Sequence, residues 1–323
     1  MNKINDFMLQ LLKELVDKKQ VTESTATLYI KNLYTLNNKQ PFINLSFLKN
    51  TDSVDQILNE YSDNTKKTFL SGITSVLSLF KDKVSYKKIY KHYYDKMMTK
   101  ATEMKDTNVN VMSNTQKDNW MKWEDIIIKK EDLKKLIEEF KNQKLITNKQ
   151  FDILLSYVIL CLYTEIPPRR NQDYMDMYVV SNLKESGDKS KNYLDWTNKN
   201  LIFNHYKTSK KYGTQQININ ESKDLIDALT LYLKFHPLAP KKDKMPKNTE
   251  FKFLTNYDGS GFTSVNAITR ILNKIFGGKK IGSSMLRHIY LSSKYDIDEM
   301  KKDAEDMGHS LGEQKNYMKS NVV

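Results

Sequence analysis

The sequence predicts a mainly helical α+β protein with a small antiparallel β-sheet in its second half. Three observations predict this class. Apolar residues recur at the three- and four-residue spacing of an amphipathic helix along most of the chain. Residues 193–220 are instead rich in β-branched and aromatic residues around Gly213, which is typical of short antiparallel strands. The chain has 323 residues, of which 39% are hydrophobic, enough to form folded cores.

Residues 1–100 predict a compact domain of four or five helices. An apolar stripe over Ile4–Val16 predicts the first helix, and "TATLYIKNLYTL" predicts the second. Ser62 offers a helix cap before the stripe Phe69–Phe80, and "YKKIYKHYYDKMM" predicts a further helix. Residues 101–122 are polar and lose this periodicity, so we expect a linker there.

Residues 123–323 predict a second domain. It begins with the helices "KEDLKKLIEEFKNQ" and "FDILLSYVILCLYTEI", and Pro167 and Pro168 end the second of these. After the strands, "SKDLIDALTLYLKFHP", "SVNAITRILNKIFG" and "SSMLRHIYLSSKY" predict three helices, with a last turn or helix around Tyr317. Cys161 is the only cysteine and lies in an apolar run, so we expect a buried thiol and no disulfide within the chain.

The composition points to a polyanionic partner. The net charge is +13, and residues 1–100 alone carry 16 Lys against 10 acidic residues, so the positive charge is not confined to one tail. We therefore expect nucleic acid rather than a membrane as the partner, since no apolar run is long enough to span a bilayer. The five His have no metal-binding spacing and there is no glycine-rich phosphate loop, so we expect no metal and no cofactor.

Arginine is rare in this chain, which makes its positions informative. Of the 52 basic residues only four are Arg, namely Arg169, Arg170, Arg270 and Arg287. Arg presents a planar fork that can bind phosphate through two hydrogen bonds, which Lys cannot match. A chain that uses Lys for its general positive charge is therefore expected to reserve Arg for specific contacts.

Four stretches together contain the groups needed to transfer a DNA phosphoryl group to a protein hydroxyl. In chain order they are "PPRRNQDY", "YKTSKKYG", "SSMLRHIY" and "MGHSLGEQKNYMKS". Two guanidinium groups can hold the non-bridging phosphate oxygens and offset charge in the transition state. A Lys or His can protonate the departing sugar oxygen, and a Tyr can attack the phosphorus.

The order and local wording of these stretches resemble the tyrosine recombinase family, the lambda-integrase-like recombinases. "LRH" opening a helix, then "GHS" and a Tyr soon afterwards, is similar to the C-terminal pattern of that family. The "PPxR" and "YKTxKxYG" motifs look closest to those of the branch found in large DNA viruses and their mobile elements. The resemblance implies a helical core-binding domain at 1–100 that helps to clamp DNA and a catalytic domain at 123–323.

The resemblance also implies which residues act. Arg170 matches the first arginine of the family, with the adjacent Arg169 as its rival, and Lys207 matches the lysine of the strand turn, with Lys210 as its rival. Arg287 matches the second arginine.

At the C-terminal end, His309 matches the histidine after glycine and Tyr317 matches the nucleophile. Ser284 stands where the family usually has His. It can still hydrogen-bond a phosphate from the same helix face as Arg287, but it is a poor proton-transfer group, which shifts that burden onto Lys207 and His309.

On this resemblance we expect a site-specific DNA recombinase or integrase. It would form a 3′-phosphotyrosyl intermediate on double-stranded DNA without a metal, act as a homotetramer on DNA, and work wherever its target DNA is. Two alternatives stay open. A type IB topoisomerase uses a similar residue set as a monomer, although a wholly helical first domain argues against it. A relative that binds DNA without cleaving it would show salt-dependent binding and no covalent product.

Overall fold

The computed structural model describes residues 4–106, 112–183, 187–241, 245–296 and 299–300. The chain divides into two compact units, Met1–Val111 and Met112–Val323. Most of the described residues are helical, and a single small sheet lies in the second unit. The predicted mainly helical α+β class is therefore confirmed.

Five α-helices form the first unit within the described residues 4–106. They are α1 (Asp6–Lys19), α2 (Glu23–Leu36), α3 (Thr51–Asn59), α4 (Asp63–Leu77) and α5 (Val84–Asp106), with short 3-10 turns at Ser46–Lys49 and Ser78–Phe80. The four helices predicted by periodicity are confirmed as α1, α2, α4 and α5. The sequence did not predict α3, because its nine residues bury only Val54 and Leu58 and so give too short a stripe.

Local side-chain contacts explain where these helices begin and how α5 is held. The side chain of Asn5 accepts a hydrogen bond from the backbone N–H of Met8 and so caps the start of α1. Tyr93 of α5 is fully buried, and its hydroxyl donates to the backbone oxygen of Leu48 at 2.9 Å. That bond ties α5 to the core of the first unit.

The second unit contains further helices and all five described strands. The helices are α6 (Asn114–Asn119), α7 (Trp123–Glu138), α8 (Asn148–Thr164), α9 (Asn171–Met175), α10 (Ser209–Tyr212), α11 (Lys223–Phe235), α12 (Asn266–Ile275) and α13 (Ser283–Lys294). The strands are β1 (Met177–Val180), β2 (Asn192–Asp195), β3 (Asn200–Phe203), β4 (Gln215–Asn218) and β5 (Glu250–Lys252).

Helix α8 is the centre of the second unit. Thr147 and Gln150 form a reciprocal capping box at its start, and the helix ends at Thr164, shortly before Pro167 and Pro168 as predicted. Ten of its residues are buried, and α7, α11 and α12 pack against it. Cys161 lies in this helix and is fully buried, as predicted.

The sheet is mixed, which corrects the predicted antiparallel sheet. Its strand order is β4-β3-β2-β1-β5, and three neighbouring pairs are antiparallel, but β1 and β2 are parallel. The antiparallel strands β2, β3 and β4 were predicted, whereas β1 and β5 were not. Both lie outside the stretch 193–220, whose β-branched and aromatic residues predicted the other strands.

The stretch 101–122, which we predict to be a linker, is helical in part. Helix α5 continues to Asp106, and α6 occupies Asn114–Asn119 with its own capping box from Ser113. The division between the two units falls inside the same stretch. None of the helices among the described residues is both long and apolar enough to cross a bilayer.

Candidate active site

The loop after α8 positions two adjacent arginines. Pro168 has no backbone N–H and a fixed φ, so the chain cannot continue as a helix there. Arg170 is in an extended conformation and forms the N-terminal boundary of α9, where its backbone oxygen accepts from the N–H of Asp173 at 3.0 Å. This turn places Arg169 and Arg170 in different surroundings.

Arg169 is held by the protein itself. Its Nε donates to the carboxylate of Asp173 at 2.9 Å, and its Nη1 donates to Oε1 of Gln215 in β4 at 2.8 Å. Its guanidinium carbon lies 3.8 Å from the centroid of the Phe203 ring and 5.1 Å from that of Tyr206. Arg169 therefore ties the start of α9 to strands β3 and β4, which is a structural role.

Arg169, Arg170 and Arg287 all line one cavity of about 220 Å³, and Arg170 and Arg287 are the two without an ion pair among the described residues. The two residues come from distant parts of the chain, the loop before α9 and the middle of α13. The guanidinium of Arg170 forms no hydrogen bond or ion pair with another described residue. Nε of Arg287 is buried and has no hydrogen-bond partner among the described residues. Two cations without an ion pair can bind an anion through charge-assisted hydrogen bonds.

Asp173 lies between the two arginine environments. It is almost completely buried, one carboxylate oxygen pairs with Arg169, and the other has no partner among the described residues. Burial raises the pKa of Asp173, although the positive charges of Arg169 and Arg170 oppose the shift. The carboxylate also lines the cavity, so an anion bound there would meet Asp173 as well as the arginines.

The connection between β3 and β4 forms another wall of the cavity. Tyr206, Thr208 and Tyr212 line it, and the Tyr206 hydroxyl closes the loop by donating to the backbone oxygen of Gly213 at 2.8 Å. Gly213 has a φ of 65°, a conformation that favours glycine. The predicted lysine Lys207 is exposed and lies in this connection next to two lining residues, but it does not line the cavity itself.

The other predicted residues are either outside the lining of the cavity or outside the described residues. Lys210 is exposed in α10, and Ser284 is exposed in the first turn of α13; both are described residues outside the cavity lining. His309 and Tyr317 lie outside the described residues. The structure thus brings Arg170 and Arg287 to one cavity. The catalytic roles predicted for these two residues stay predictions, as do those predicted for Lys207, Ser284, His309 and Tyr317.

Sequence reasoning missed a buried polar cluster behind the two arginines. The hydroxyl of Tyr163 donates to Oδ1 of Asn171 at 2.6 Å, and Nδ2 of Asn171 donates to the hydroxyl of Thr269 at 2.8 Å. Burial raises the pKa of Tyr163, and the nearby Ser283 and Arg287 partly offset that effect. The one sequence signal for this cluster was Asn171, a polar residue that directly follows Arg170 at the start of a buried segment.

Comparison of the chain with protein-family models, with curated proteins and with solved structures finds no match. No three His, Cys, Asp or Glu side chains of the described residues lie close enough together to hold a metal ion. The described part of the cavity is lined by three arginines and by Asp173, beside an exposed lysine; of the three guanidinium groups, that of Arg169 is already hydrogen-bonded to Asp173 and Gln215.

Proposed function

We propose that this chain is a site-specific DNA recombinase or integrase that cleaves and rejoins DNA through a 3′-phosphotyrosyl intermediate. One observation carries the proposal. Arg170 and Arg287, two of only four arginines in the chain, line the same cavity, and neither has an acidic partner among the described residues. A DNA phosphate in that cavity would receive charge-assisted hydrogen bonds from both guanidinium groups.

In the proposed reaction the hydroxyl oxygen of Tyr317 attacks the phosphorus of the DNA backbone. The Tyr–O–P bond forms as the tyrosine proton passes to water, the bond from phosphorus to the 5′-oxygen breaks, and the leaving oxygen takes a proton to become a 5′-hydroxyl. Arg170 and Arg287 offset the charge that builds up on the non-bridging oxygens. Lys207 or His309 supplies the proton. Attack by a second 5′-hydroxyl reverses these steps and rejoins the strands.

The charge of the chain supports DNA as the substrate. Residues 1–100 carry 16 Lys and 10 acidic residues, and the first unit contains helices and no strand within the described residues 4–106. We propose that this unit supplies a further DNA-contacting surface through contacts to phosphates. Four copies on two DNA duplexes would provide the four strand cleavages that a complete exchange requires.

The test traps the covalent intermediate. The protein is incubated with nicked duplexes taken from the DNA that flanks its own coding sequence, and the products are separated on a denaturing gel. We expect a protein–DNA adduct that is lost in Tyr317→Phe and retained in Tyr295→Phe, a control at an exposed tyrosine. An adduct that survives Tyr317→Phe would show that another tyrosine attacks.

Two other results would favour a different function. Salt-dependent DNA binding without any adduct would favour a DNA-binding protein that does not cleave. Relaxation of any supercoiled plasmid by a monomer, without preference for a site, would favour a type IB topoisomerase. Recombination predicts instead that adducts form at defined positions on paired sites.

A further inference from the structure

A buried or partly buried set of hydrogen bonds lies between the segments that carry Arg170 and Arg287. Asn171, which directly follows Arg170, is 6% exposed. Its side-chain oxygen accepts from the fully buried hydroxyl group of Tyr163 at 2.6 Å, and its side-chain nitrogen donates to the Thr269 hydroxyl at 2.8 Å. One amide thus contacts α8 and α12 at once.

Thr269 extends this set to the start of α13. Gly282 immediately precedes α13, and Thr269 is the side chain beside it: a Cβ atom added to Gly282 would lie 3.5 Å from Cγ2 and 3.7 Å from Oγ1 of Thr269. Ser283 and Arg287 are near enough to Tyr163 to influence its pKa, as noted above. The start of the helix that carries Arg287 therefore rests on the same polar cluster that holds Asn171.

The orientation of the Asn171 amide is fixed by its partners. Its nitrogen also approaches the backbone oxygen of Val265 at 3.5 Å, and a carbonyl can only accept a hydrogen bond. The amide nitrogen must therefore face α12, which leaves the oxygen for Tyr163. Because the amide is almost fully buried, rotating it or removing one partner leaves a polar group without a hydrogen bond.

We propose that Asn171, held by Tyr163 and Thr269, is a positioning residue that sets the separation of Arg170 and Arg287 and thereby the affinity of their cavity for phosphate. This inference rests on the proposed function in taking phosphate as the ligand. A phosphate held by two guanidinium groups is sensitive to their spacing, and misplacement by about 1 Å can cost about 100-fold in rate in comparable sites. Asn171 touches no reacting atom.

The rarity of arginine provides a direct measurement. A ¹⁵N-arginine-labelled sample contains four side chains with an Nε–H signal, and single Arg→Lys variants assign them. Inorganic phosphate is titrated into the full chain while the signals of Arg170 and Arg287 are followed. We expect both signals to shift with a single dissociation constant, and the signal of Arg270 to stay unchanged.

Matched variants separate positioning from stability. Tyr163→Phe and Thr269→Val remove one hydroxyl each from the cluster, and we expect each to weaken phosphate binding by about tenfold. Tyr232→Phe is the control for the first, since Tyr232 is equally buried and donates to a backbone oxygen at 3.0 Å away from the arginines. Thr269→Ser keeps the hydroxyl and is the control for the second. Both controls should bind phosphate as the unmodified chain does.

The outcomes distinguish this inference from the proposed function. If Tyr163→Phe and Tyr232→Phe lower the melting temperature alike and both bind phosphate normally, the cluster is only structural and the inference is overturned. If phosphate shifts neither Arg170 nor Arg287 in the unmodified chain, the inference is overturned together with the anion site. If phosphate binding depends on Tyr163 but no covalent DNA adduct forms, the positioning role is supported and the strand-transfer reaction is not.

Discussion

The guanidinium carbon of Arg169 lies 3.8 Å from the centroid of the Phe203 ring. The same group donates hydrogen bonds to Asp173 and Gln215, so its main polar contacts are already within the protein. Its neighbour Arg170 has no such contacts among the described residues. Both arginines line the cavity, but only Arg169 is already hydrogen-bonded to other side chains, so we expect Arg170 to be the one that binds a ligand.

Replacing Arg169 by Lys should destabilise the second unit. Lys cannot stack as a planar group and keep two hydrogen bonds at once, so we expect the free energy of unfolding to fall by about 2 kcal/mol. Urea unfolding measures this difference. Arg270→Lys is the control, because Arg270 is exposed on α12, and it should change the free energy by less than about 0.5 kcal/mol. Equal effects of the two variants would contradict the structural role.

Replacing Arg170 or Arg287 by Lys should impair chemistry more than stability. Each variant keeps the positive charge but loses the planar fork, and we expect the rate of adduct formation on the nicked duplex to fall by about 100-fold. Single-turnover kinetics measures that rate. When the fraction of unfolded protein is taken into account, Arg169→Lys should form the adduct at close to the rate of the unmodified chain. If Arg169→Lys forms the adduct more slowly than Arg170→Lys does, Arg169 and not Arg170 matches the first arginine of the family.

The sequence predicted elements that a local pattern marks. Helices α4 and α8 repeat an apolar stripe over several turns, whereas β1 and β5 lie outside the stretch 193–220 that is rich in β-branched and aromatic residues. The parallel pairing of β1 with β2 depends on contacts between strands that no local pattern records.

The site was predictable only where a residue type was rare. Arg170 and Arg287 were predicted from the resemblance, with the scarcity of arginine as support, and the structure places both in the lining of one cavity. Lys207 was one of many lysines, and the structure places it beside the cavity rather than in its lining. Tyr163 and Thr269 could not be found, since each is an ordinary helical residue until the fold brings it to Asn171.

Lys130 holds three helical segments together through charge. Its side chain is 6% exposed, and its Nζ lies near carboxylate oxygens of Glu165 after α8 and Asp224 in α11. Burial opposes the charged form, but the hydrogen bonds to Glu165 and Asp224 outweigh it and keep the pKa of Lys130 above its ordinary value. Removing this cation would leave two neighbouring carboxylates without their shared partner.

Lys130→Met should therefore lower the free energy of unfolding by about 3 kcal/mol at pH 7, as expected when one partner of a buried ion pair is removed. Lys135→Met is the matched control, because that side chain is 79% exposed and its pair with Asp132 is long, at 3.8 Å. The control should change the free energy by less than about 1 kcal/mol. Chemical denaturation at low and high salt compares the two, and a loss no larger than in the control would contradict this account.

Cys161 should be unreactive until the second unit unfolds. The thiol is fully buried in α8, and burial raises its pKa to about 12, so almost no thiolate exists at neutral pH. We expect no labelling by a thiol-specific chromogenic disulfide over hours in native buffer and complete labelling in denaturant. Because this is the only cysteine, the labelling rate also reports the opening of the second unit. Rapid native labelling would show that α8 is accessible.

His236 should make the stability of the second unit depend on pH. The ring is fully buried at the end of α11, where Nε2 faces the backbone oxygen of Phe253 at 3.0 Å and Nδ1 accepts from the N–H of Leu238 at 3.1 Å. The acceptor role of Nδ1 requires a neutral ring. Burial lowers the pKa of His236 to about 4, and the positive charge of Lys241 acts in the same direction.

The sign of the effect follows from the pKa of the His236 side chain in the unfolded chain, which is about 6.5. Above that pH the His236 ring is neutral in both the folded and the unfolded chain, so its titration takes nothing from the free energy of unfolding. As pH falls from about 6.5 to about 4, the unfolded chain binds a proton that the folded chain does not, so His236 should cost about 3 kcal/mol of stability over this interval. His236→Gln removes the titrating group, and the difference between its urea unfolding profile and that of the unmodified chain isolates this contribution from the carboxylates. If the two profiles run parallel between pH 7 and pH 4, His236 is not held neutral by the fold.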